Sequence, residues 1–486
     1  MGVPPMVPLS SKTRSAPKCL FCGTASLAPG QCACQAVIGY DLLTSPTASP
    51  ILSTAATNVP PMKGAGMRGG RVIAVVALAA VALAAPSSSA QPKKLVFWTH
   101  WEQNPEFNKY YETRGRDFAQ KSGHEVQVVT VPYQGYEAKY LAALMGKSGA
   151  PDIFMGMTHH WCGQYDFCDT MPADLAKIWD ENLPKYMVNV GRWKGVRYGI
   201  PIEHGNFQQM YIDTELFKKA GLDPDRPPKT LDDWLLAMKK LTVLDARGEP
   251  TQVGFALRHK GHPVGITDKF LPFAHAFGAR MLSPNLEKAT GFANSPEMVS
   301  ALQFYSDLVH KHKVASVAFP TPEDAFGQKR AATIFRESWF FGWVKKNAPD
   351  VAFKVYALPC GKTCPGAGAL FPWSNMVSKN SPNRQAAWDY LKFISTAKDD
   401  LDQHQAQGIL PVWTANLDSA YVKSRPDYQS TQAMLKQPVP PEYYHPRSNE
   451  LATAFGEAVV AALYGRGQAK PLLDEAAAKM DRILKD

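Results

Sequence analysis

At 486 residues, with 45% hydrophobic and 20% charged residues, the chain has the composition of a globular protein and the length of two or more domains. Its 53 lysines and arginines outnumber its 43 aspartates and glutamates, which gives a formal net charge of +10. These basic residues are scattered and accompany no recognisable nucleic-acid-binding motif. We therefore interpret the charge as a solvated surface and expect no nucleic-acid partner.

An export signal is predicted at residues 67–90. Met67 opens a short basic stretch, the segment 72–85 is unbroken apolar, and small residues follow up to Ala90. This order is typical of a secretory signal peptide, and the apolar run is too short to span a bilayer comfortably. We expect cleavage after Ala90 and a periplasmic location.

Residues 1–66, which precede this signal, are rich in Pro, Ser, Ala and Gly. We interpret them as a non-native or disordered extension that arises from a misassigned upstream start codon. The alternative is a zinc knuckle built from Cys19, Cys22, Cys32 and Cys34, since four thiolates can hold Zn²⁺ tetrahedrally. The lack of an apolar pattern around these cysteines favours the first interpretation, so no metal or cofactor is predicted.

Four more cysteines follow the predicted signal, in two close pairs. Cys162 is near Cys168, and Cys360 is near Cys364. In an oxidising compartment, close pairs favour local disulfides, each closing a small loop that adds modest stability. We predict both disulfides; four free buried thiols, the alternative, fit an exported protein less well.

From residue 94 onward, predicted strands and helices alternate. A buried strand at 94–98 precedes a helix at 105–122, an alternating strand at 125–131, a helix at 136–145 and a short strand at 151–156. This order is the pattern of a parallel sheet covered by helices. Such sheets bind ligands at the carboxyl ends of their strands.

The same logic places elements in the rest of the chain. Strands are predicted at 198–202, 211–213, 255–257, 331–335 and 353–358, and helices at 214–220, 230–241, 272–277, 295–312, 323–328, 339–347, 382–395 and 472–484. There is no internal repeat and no long low-complexity linker within this part of the sequence. Two lobes that exchange chain segments fit this better than independent domains in series.

Several motifs occur in the order found in family 1 extracellular solute-binding proteins of ABC importers. They are the strand 95–98, Gly-Ala-Pro-Asp-Ile at 149–153, Tyr-Gly-Ile-Pro at 198–201, the segments 210–222 and 228–234, Phe-Gly-Gln-Lys-Arg-Ala-Ala at 326–332, and Ala-Ala-Trp-Asp-Tyr-Leu-Lys-Phe-Ile at 386–394. The chain resembles this family, which includes the maltodextrin-binding protein, over residues 92–486.

The resemblance implies a two-lobed α/β periplasmic-binding-protein fold of type II, with a hinge and a ligand cleft between the lobes. It implies one lobe made of 91–205 with 372–405 and another made of 206–371 with 406–486. It also implies a monomeric carrier, not an enzyme, that closes around a solute and delivers it to the permease subunits of an importer.

Aromatic and polar residues near the predicted strand ends favour a sugar ligand, because indole faces stack on sugar rings while polar groups bind hydroxyls. Each of these residues could instead have a structural role: its side chain could cover a loop, pack in the core or, for Glu203, stabilise the hinge. The candidate ligand-binding residues are Trp101, Glu102, His160, Trp161, Glu203, Trp339, Trp373 and Ser374.

Other functions remain open at this point. The same fold binds polyamines, metal ions or glycerol-phosphate ligands, and Arg336 or Arg447 would suit a phosphate. An exported glycoside hydrolase is less favoured, although it needs only two carboxylates across a cleft. The available carboxylates are Glu102, Asp152, Asp166, Glu203 and Asp268.

Overall fold

The computed structural model describes residues 92–102, 104–132, 135–146, 149–204, 208–362, 373–435 and 445–485. The predicted extension 1–66, the predicted signal 67–90 and Cys364 lie outside the described residues. Within the described ranges, we find no helix with the length and apolar character needed to span a membrane.

Strands and helices alternate through much of the described chain. The strands are β1 Lys94–Thr99, β2 Glu125–Thr130, β3 Ile153–Met157, β4 Arg192–Trp193, β5 Val196–Arg197, β6 Gly199–Pro201, β7 Gln208–Asp213, β8 Val243–Leu244, β9 Pro250–Ala256, β10 Ala331–Glu337, β11 Phe353–Tyr356 and β12 Trp373–Val377. The α-helices are α1 Glu106–Ser122, α2 Tyr136–Met145, α3 Ala173–Asn182, α4 Thr214–Lys219, α5 Leu231–Leu241, α6 Pro263–Ala276, α7 Pro296–His310, α8 Pro322–Gly327, α9 Trp339–Asn347, α10 Arg384–Phe393, α11 Ala397–Gln407, α12 Ala420–Lys423, α13 Pro426–Leu435, α14 Ser448–Leu463 and α15 Ala469–Lys485.

The first sheet, sheet 1, has the strand order β2-β1-β3-β12-β6. Strand β1 pairs in parallel with β2 and β3, whereas β12 runs antiparallel to β3 and β6. Helix α1 packs on β2 and α10 packs on β12. The predicted parallel core is therefore completed by a strand that comes from much later in the sequence.

The second sheet, sheet 2, has the strand order β11-β7-β10-β9-β8. Strand β10 is parallel to β9 and antiparallel to β7, and every residue of β7 and β10 is buried. Helices α5 and α8 pack on β9, and α9 packs on β10. Two separate mixed sheets, each covered by helices, form the two-lobed α/β fold that the sequence predicts.

Helix α6 begins earlier than predicted. The sequence places a helix at 272–277 because a proline usually opens a helix or ends one. In the structure α6 runs through Pro272, whose missing N–H leaves the carbonyl of Asp268 without its usual donor. The side-chain amide of Gln208 donates to that carbonyl at 2.7 Å, and this bond stabilises the proline inside the helix.

The disulfide of the first cysteine pair is present. Cys162 and Cys168 are joined, with their Cα atoms 5.0 Å apart. It closes the loop that follows β3, whose first residues form a π-helical turn, His159–Gln164. The predicted partner of Cys360, Cys364, lies outside the described residues, so that second pairing stays a prediction.

Candidate functional site

A cavity of about 890 Å³ opens between sheet 1 and sheet 2. On the sheet 1 side it is lined by residues that follow β1 and β6 and by the first residue of β12. On the sheet 2 side it is lined by residues after β9, the first turns of α6 and α8, and the end of β10. The cavity therefore lies where strands of both sheets end, the usual ligand position in such folds.

Aromatic rings form much of the sheet 1 wall. His100 is buried and stacks on Trp101, with ring centroids 5.2 Å apart, and also contacts Trp373 at 4.3 Å. Burial lowers the pKa of His100 to about 3, so this ring is neutral at pH 7. Trp101 is only half-buried, which leaves part of its indole open to the cavity.

Trp339 faces the same cavity from sheet 2. It is the first residue of α9, directly beyond the end of β10, and is half-buried. The guanidinium of Arg336 lies over its ring, 4.9 Å from the centroid. Two partly open indoles, Trp101 and Trp339, thus line one cavity from different sheets.

Buried ion pairs dominate the sheet 2 wall. The ammonium of Lys269 is bonded to the carboxylates of both Asp268 and Glu337. Arg336 is paired with Glu323 and lies 3.3 Å from a second oxygen of Glu337. Such charges persist away from water only when oppositely charged groups surround them.

The two carboxylates that share Lys269 respond differently to this environment. Burial raises the pKa of Asp268 to about 6. Burial acts in the same direction on Glu337, but the adjacent charges of Lys269 and Arg336 outweigh it and hold the pKa of Glu337 below its usual value. Glu337 is therefore the firmly ionised partner of the cluster.

Glu203 stands apart from these pairs. It follows β6, is 7% exposed, and its carboxyl makes no hydrogen bond or ion pair with another described residue. Its backbone is fixed on both sides, because His404 donates to the carbonyl of Ile202 at 2.9 Å and His204 donates to that of Pro411 at 2.7 Å. Burial, and then the nearby charge of Glu337, raise its pKa to about 8.

The structure brings together most of the residues singled out from the sequence. Five of them line this cavity: Trp101, Glu102, Glu203, Trp339 and Trp373. Ser374 is fully buried and does not line it, because successive side chains of a strand point to opposite faces and its neighbour Trp373 takes the cavity side.

His160 and Trp161 lie elsewhere, on a second cavity of about 520 Å³ beside α2, α14 and α15. The π-helical turn folds Trp161 back over β3, so a methyl group added at Gly156 would overlap its indole. The structure thus places these two residues away from the main cavity. Arg447, one candidate for binding phosphate, is also remote and pairs with Glu450.

Sequence reasoning missed several charged residues of the cavity wall. Arg258 and Lys260 follow β9, so the same strand-end argument that selected Trp101 would have found them. Lys269 gave no such signal, because the helix that carries it was expected to begin three residues later. Among the described residues, no cluster of three or more His, Cys, Asp or Glu side chains is placed to hold a metal ion.

Comparison with known families decides the class of this fold. The sequence model of the bacterial extracellular solute-binding proteins matches residues 113–430, well over half of the chain. The chain belongs to the bacterial extracellular solute-binding protein family. The cavity between its two sheets is accordingly the candidate solute site.

Individual relatives of this solute-binding protein are distant. A binding protein of Brucella abortus (strain 2308) is 26% identical over 302 residues, covering 60% of this chain and 69% of the relative. The arabinooligosaccharide-binding protein of Halalkalibacterium halodurans is 23% identical over 323 residues, or 63% and 68% of the two chains. The sn-glycerol-3-phosphate-binding periplasmic protein of Pectobacterium atrosepticum is 23% identical over 252 residues, or 48% and 53%.

Solved structures share the fold of this solute-binding protein at low sequence identity. A solute-binding protein from Thermotoga lettingae TMO, bound with alpha-D-tagatose, has a TM-score of 0.70 at 22% identity. The match covers 81% of this chain and 99% of that one. The maltodextrin-binding domain from Bdellovibrio bacteriovorus, bound to maltotriose, gives 0.69 at 17%, covering 81% and 100%. These likenesses establish the architecture.

Proposed function

We propose that this chain is the substrate-binding component of an ABC importer, and that it binds a sugar or sugar-like solute in the periplasm and delivers it to the membrane permease. The observation that carries the proposal is the cavity of about 890 Å³ with half-buried indoles on both sides. The family match supports it, as do relatives whose names record binding of arabinooligosaccharide and maltotriose.

The chemistry of the cavity suits a polyhydroxylated ligand. The rings of Trp101 and Trp339 offer flat apolar faces to the CH groups of a sugar. The indole N–H of Trp101 and one carboxylate oxygen of Asp268 are buried and have no hydrogen-bond partner among the described residues. Ligand hydroxyls, which both donate and accept, would satisfy the two groups.

Two lobes and a hinge give the proposed mechanism. We assign 91–205 and 372–405 to the lobe of sheet 1, and 206–371 and 406–486 to the lobe of sheet 2. The positions of β6 and β12 support the boundaries near 205 and 372. The boundary at 405 does not fit the structure, because it falls inside α11 and Trp413 beyond it packs against Trp179 of the sheet 1 lobe. Ligand would favour the closed arrangement by its greater affinity for it, and a closed monomer would then dock on the permease.

Export is part of the same proposal. We propose that residues 67–90 are a signal peptide cleaved after Ala90, and that 1–66 are absent from the functional protein. The disulfide between Cys162 and Cys168 supports an oxidising compartment. Mass spectrometry of the exported protein would test the cleavage position, because a mature N-terminus other than Gln91 would contradict it.

We further propose that the site binds without catalysis. A glycoside hydrolase requires two carboxyl groups that face one glycosidic bond. Here Asp268 and Glu337 are both ion-paired with Lys269, which occupies them, and the family match supports a binding role. Incubation with oligosaccharides, followed by chromatography, should recover them uncleaved, and release of shorter sugars would contradict the proposal.

Trp339→Ala tests the binding proposal directly. We expect about a tenfold to hundredfold loss of affinity for the solute, because a Trp at the centre of a binding site commonly contributes about 2 kcal/mol or more to the free energy of binding. A thermal-shift screen of the mature chain against sugars would find the solute, and calorimetry would give its affinity for each variant.

Trp343→Ala is the matched control, because Trp343 lies one turn later on α9, stacks on Phe340 and is not a lining residue. It should lower thermal stability while leaving affinity close to wild type. Equal affinity of Trp339→Ala and wild type would remove Trp339 from the site.

A further inference from the structure

Arg258 has an exceptional position among the arginines of the cavity. It follows β9, is half-buried and lines the main cavity. Its guanidinium makes no hydrogen bond or ion pair with any other residue that the structure describes, whereas Arg336 is paired with Glu323 and Glu337. A guanidinium carries five N–H donors, and those of Arg258 that face the cavity are available to a ligand acceptor.

The backbone of α6, not a carboxylate, holds Arg258 in place. A Cβ atom added at Gly265 would lie 2.5 Å from the central carbon of the guanidinium. One added at Gly261 would lie 3.4 Å from a terminal nitrogen. The two glycines therefore leave the space in which the guanidinium rests against the first turn of the helix, with its donors still available.

The surroundings of Arg258 are electrically positive. Helix α6 has 14 residues, and its N-terminus, capped by His262, lines the cavity beside Arg258. Lys260 is two residues away, exposed at the rim. The Nε atom of Arg336, which is only 4% exposed on the same wall, also has no acceptor among the described residues.

The charges on this wall can be counted. Lys269 and Arg336 contribute +2 and their partners Asp268, Glu323 and Glu337 contribute −3, which leaves −1. Arg258 and Lys260 add +2, so the sheet 2 wall carries a net +1. Glu102, exposed on the sheet 1 wall, adds −1 to the cavity, so the excess positive charge is local to Arg258 and Lys260, and an anionic group of the ligand would balance it there.

We propose that the solute is a polyhydroxylated anion, such as a sugar acid or a polyol phosphate, and that Arg258 binds its anionic group. Lys260 approaches the same group from the rim, and ligand hydroxyls satisfy the free oxygen of Asp268. This inference rests on the proposed function and specifies its ligand class. Arg258 is then the residue that distinguishes charged from neutral solutes.

Matched pairs of compounds test the inference by calorimetry on the mature chain. Glucose is compared with gluconate and glucuronate, and glycerol with glycerol 3-phosphate. We expect the anion of at least one pair to bind more tightly than its neutral counterpart. Arg258→Gln should lower the affinity for that anion by about 10- to 100-fold, the usual loss when a hydrogen bond to a charged group is removed. The affinity for neutral compounds should stay nearly unchanged. Comparing the carboxylates with glycerol 3-phosphate shows whether the anionic group of the solute is a carboxylate or a phosphate.

Arg116→Gln, an exposed change on α1 that removes the same charge, is the control. Lys260 is also exposed, and Lys260→Gln should cause a smaller loss of anion affinity. This second variant tests the inference if Arg258→Gln fails to fold. Neutral compounds that bind as well as their anions would overturn the inference and leave the proposed function standing. So would equal losses in Arg258→Gln and Arg116→Gln. Failure of these compounds and of every sugar in the thermal-shift screen to bind at millimolar concentration would contradict the proposed function itself.

Discussion

The two walls of the cavity hold their buried carboxyl groups in opposite ways. On the sheet 2 wall, Asp268 and Glu337 share the ammonium of Lys269. On the sheet 1 wall, Glu203 is also buried, but its carboxyl makes no hydrogen bond or ion pair with another described residue. The paired groups are held as charges by their partners, whereas Glu203 is mostly a neutral acid at pH 7.

This difference determines which hydrogen bonds each wall can offer to a ligand. A neutral Glu203 can donate one hydrogen bond to a solute oxygen, while Glu337 can only accept. The two walls together thus present a donor and an acceptor across one cavity. Mutations that remove one ionisable group from each wall should have opposite effects on stability.

Lys269→Met should have the largest effect. It leaves two buried carboxylates without their shared cation, and breaking such a group typically costs about 3 to 5 kcal/mol of unfolding free energy. Urea denaturation at pH 7 measures the loss. The loss should shrink as the pH falls, because Asp268 and Glu337 then take up protons.

Lys260→Met is the matched control for stability, since Lys260 is exposed. It should change the unfolding free energy by no more than about 0.5 kcal/mol. If Lys269→Met were equally mild at pH 7, the ion pairs on the sheet 2 wall would not be what holds the two carboxylates as charges.

Glu203→Gln should stabilise the protein, with an effect that grows with pH. The pKa of Glu203 is raised from 4.5 to about 8 on folding, so the folded state holds its proton more tightly than the unfolded state. Wild-type stability therefore falls relative to the variant between pH 4.5 and 8, by at most about 1.4 kcal/mol per pH unit. Below this range both states of the wild type are protonated, and above it both are ionised.

Thermal or urea unfolding of the two proteins at a series of pH values measures this difference. Glu102→Gln removes an exposed carboxyl from the same wall and serves as the control. A stability difference between wild type and Glu203→Gln that does not change from pH 5 to 8 would show that Glu203 has a partner in solution.

The sequence predicted the aromatic groups of the site better than its charged ones. Three of its tryptophans, Trp101, Trp339 and Trp373, lie near the ends of strands or the starts of elements. Ligands of such sheets usually bind where the strands end, so these positions could be selected from the predicted elements. The cap of α5 was equally readable, since the hydroxyl of Thr230 accepts from the amide of Asp233 at 3.1 Å. Local patterns therefore located the strand ends and most of the helices.

Features that depend on contacts distant in sequence were not predictable. Helix α14 is buried by α6, α7 and α15 together, so its apolar residues surround it and give no one-sided periodicity. The pairing of Lys269 with Glu337 joins residues 68 positions apart. His160 and Trp161 follow β3 as expected, but the π-helical turn directs them away from the main cavity.

The smallest expected effect concerns the uncharged contact that supports the sheet 2 wall. Gln208, fully buried at the start of β7, donates to the carbonyl of Asp268 that Pro272 leaves free. Gln208→Leu should cost about 1 to 2 kcal/mol of unfolding free energy, because it leaves a buried carbonyl without a donor. Urea denaturation measures this change.

Pro272→Ala tests whether Gln208 stabilises the protein through its hydrogen bond to the carbonyl of Asp268. It restores a backbone N–H four residues after Asp268, so α6 can satisfy that carbonyl itself. In this background Gln208→Leu should cost less than it does alone, by about 0.5 kcal/mol or more in a double-mutant cycle. Strictly additive effects would mean that Gln208 stabilises the wall through its packing, and that the carbonyl of Asp268 finds a donor without it.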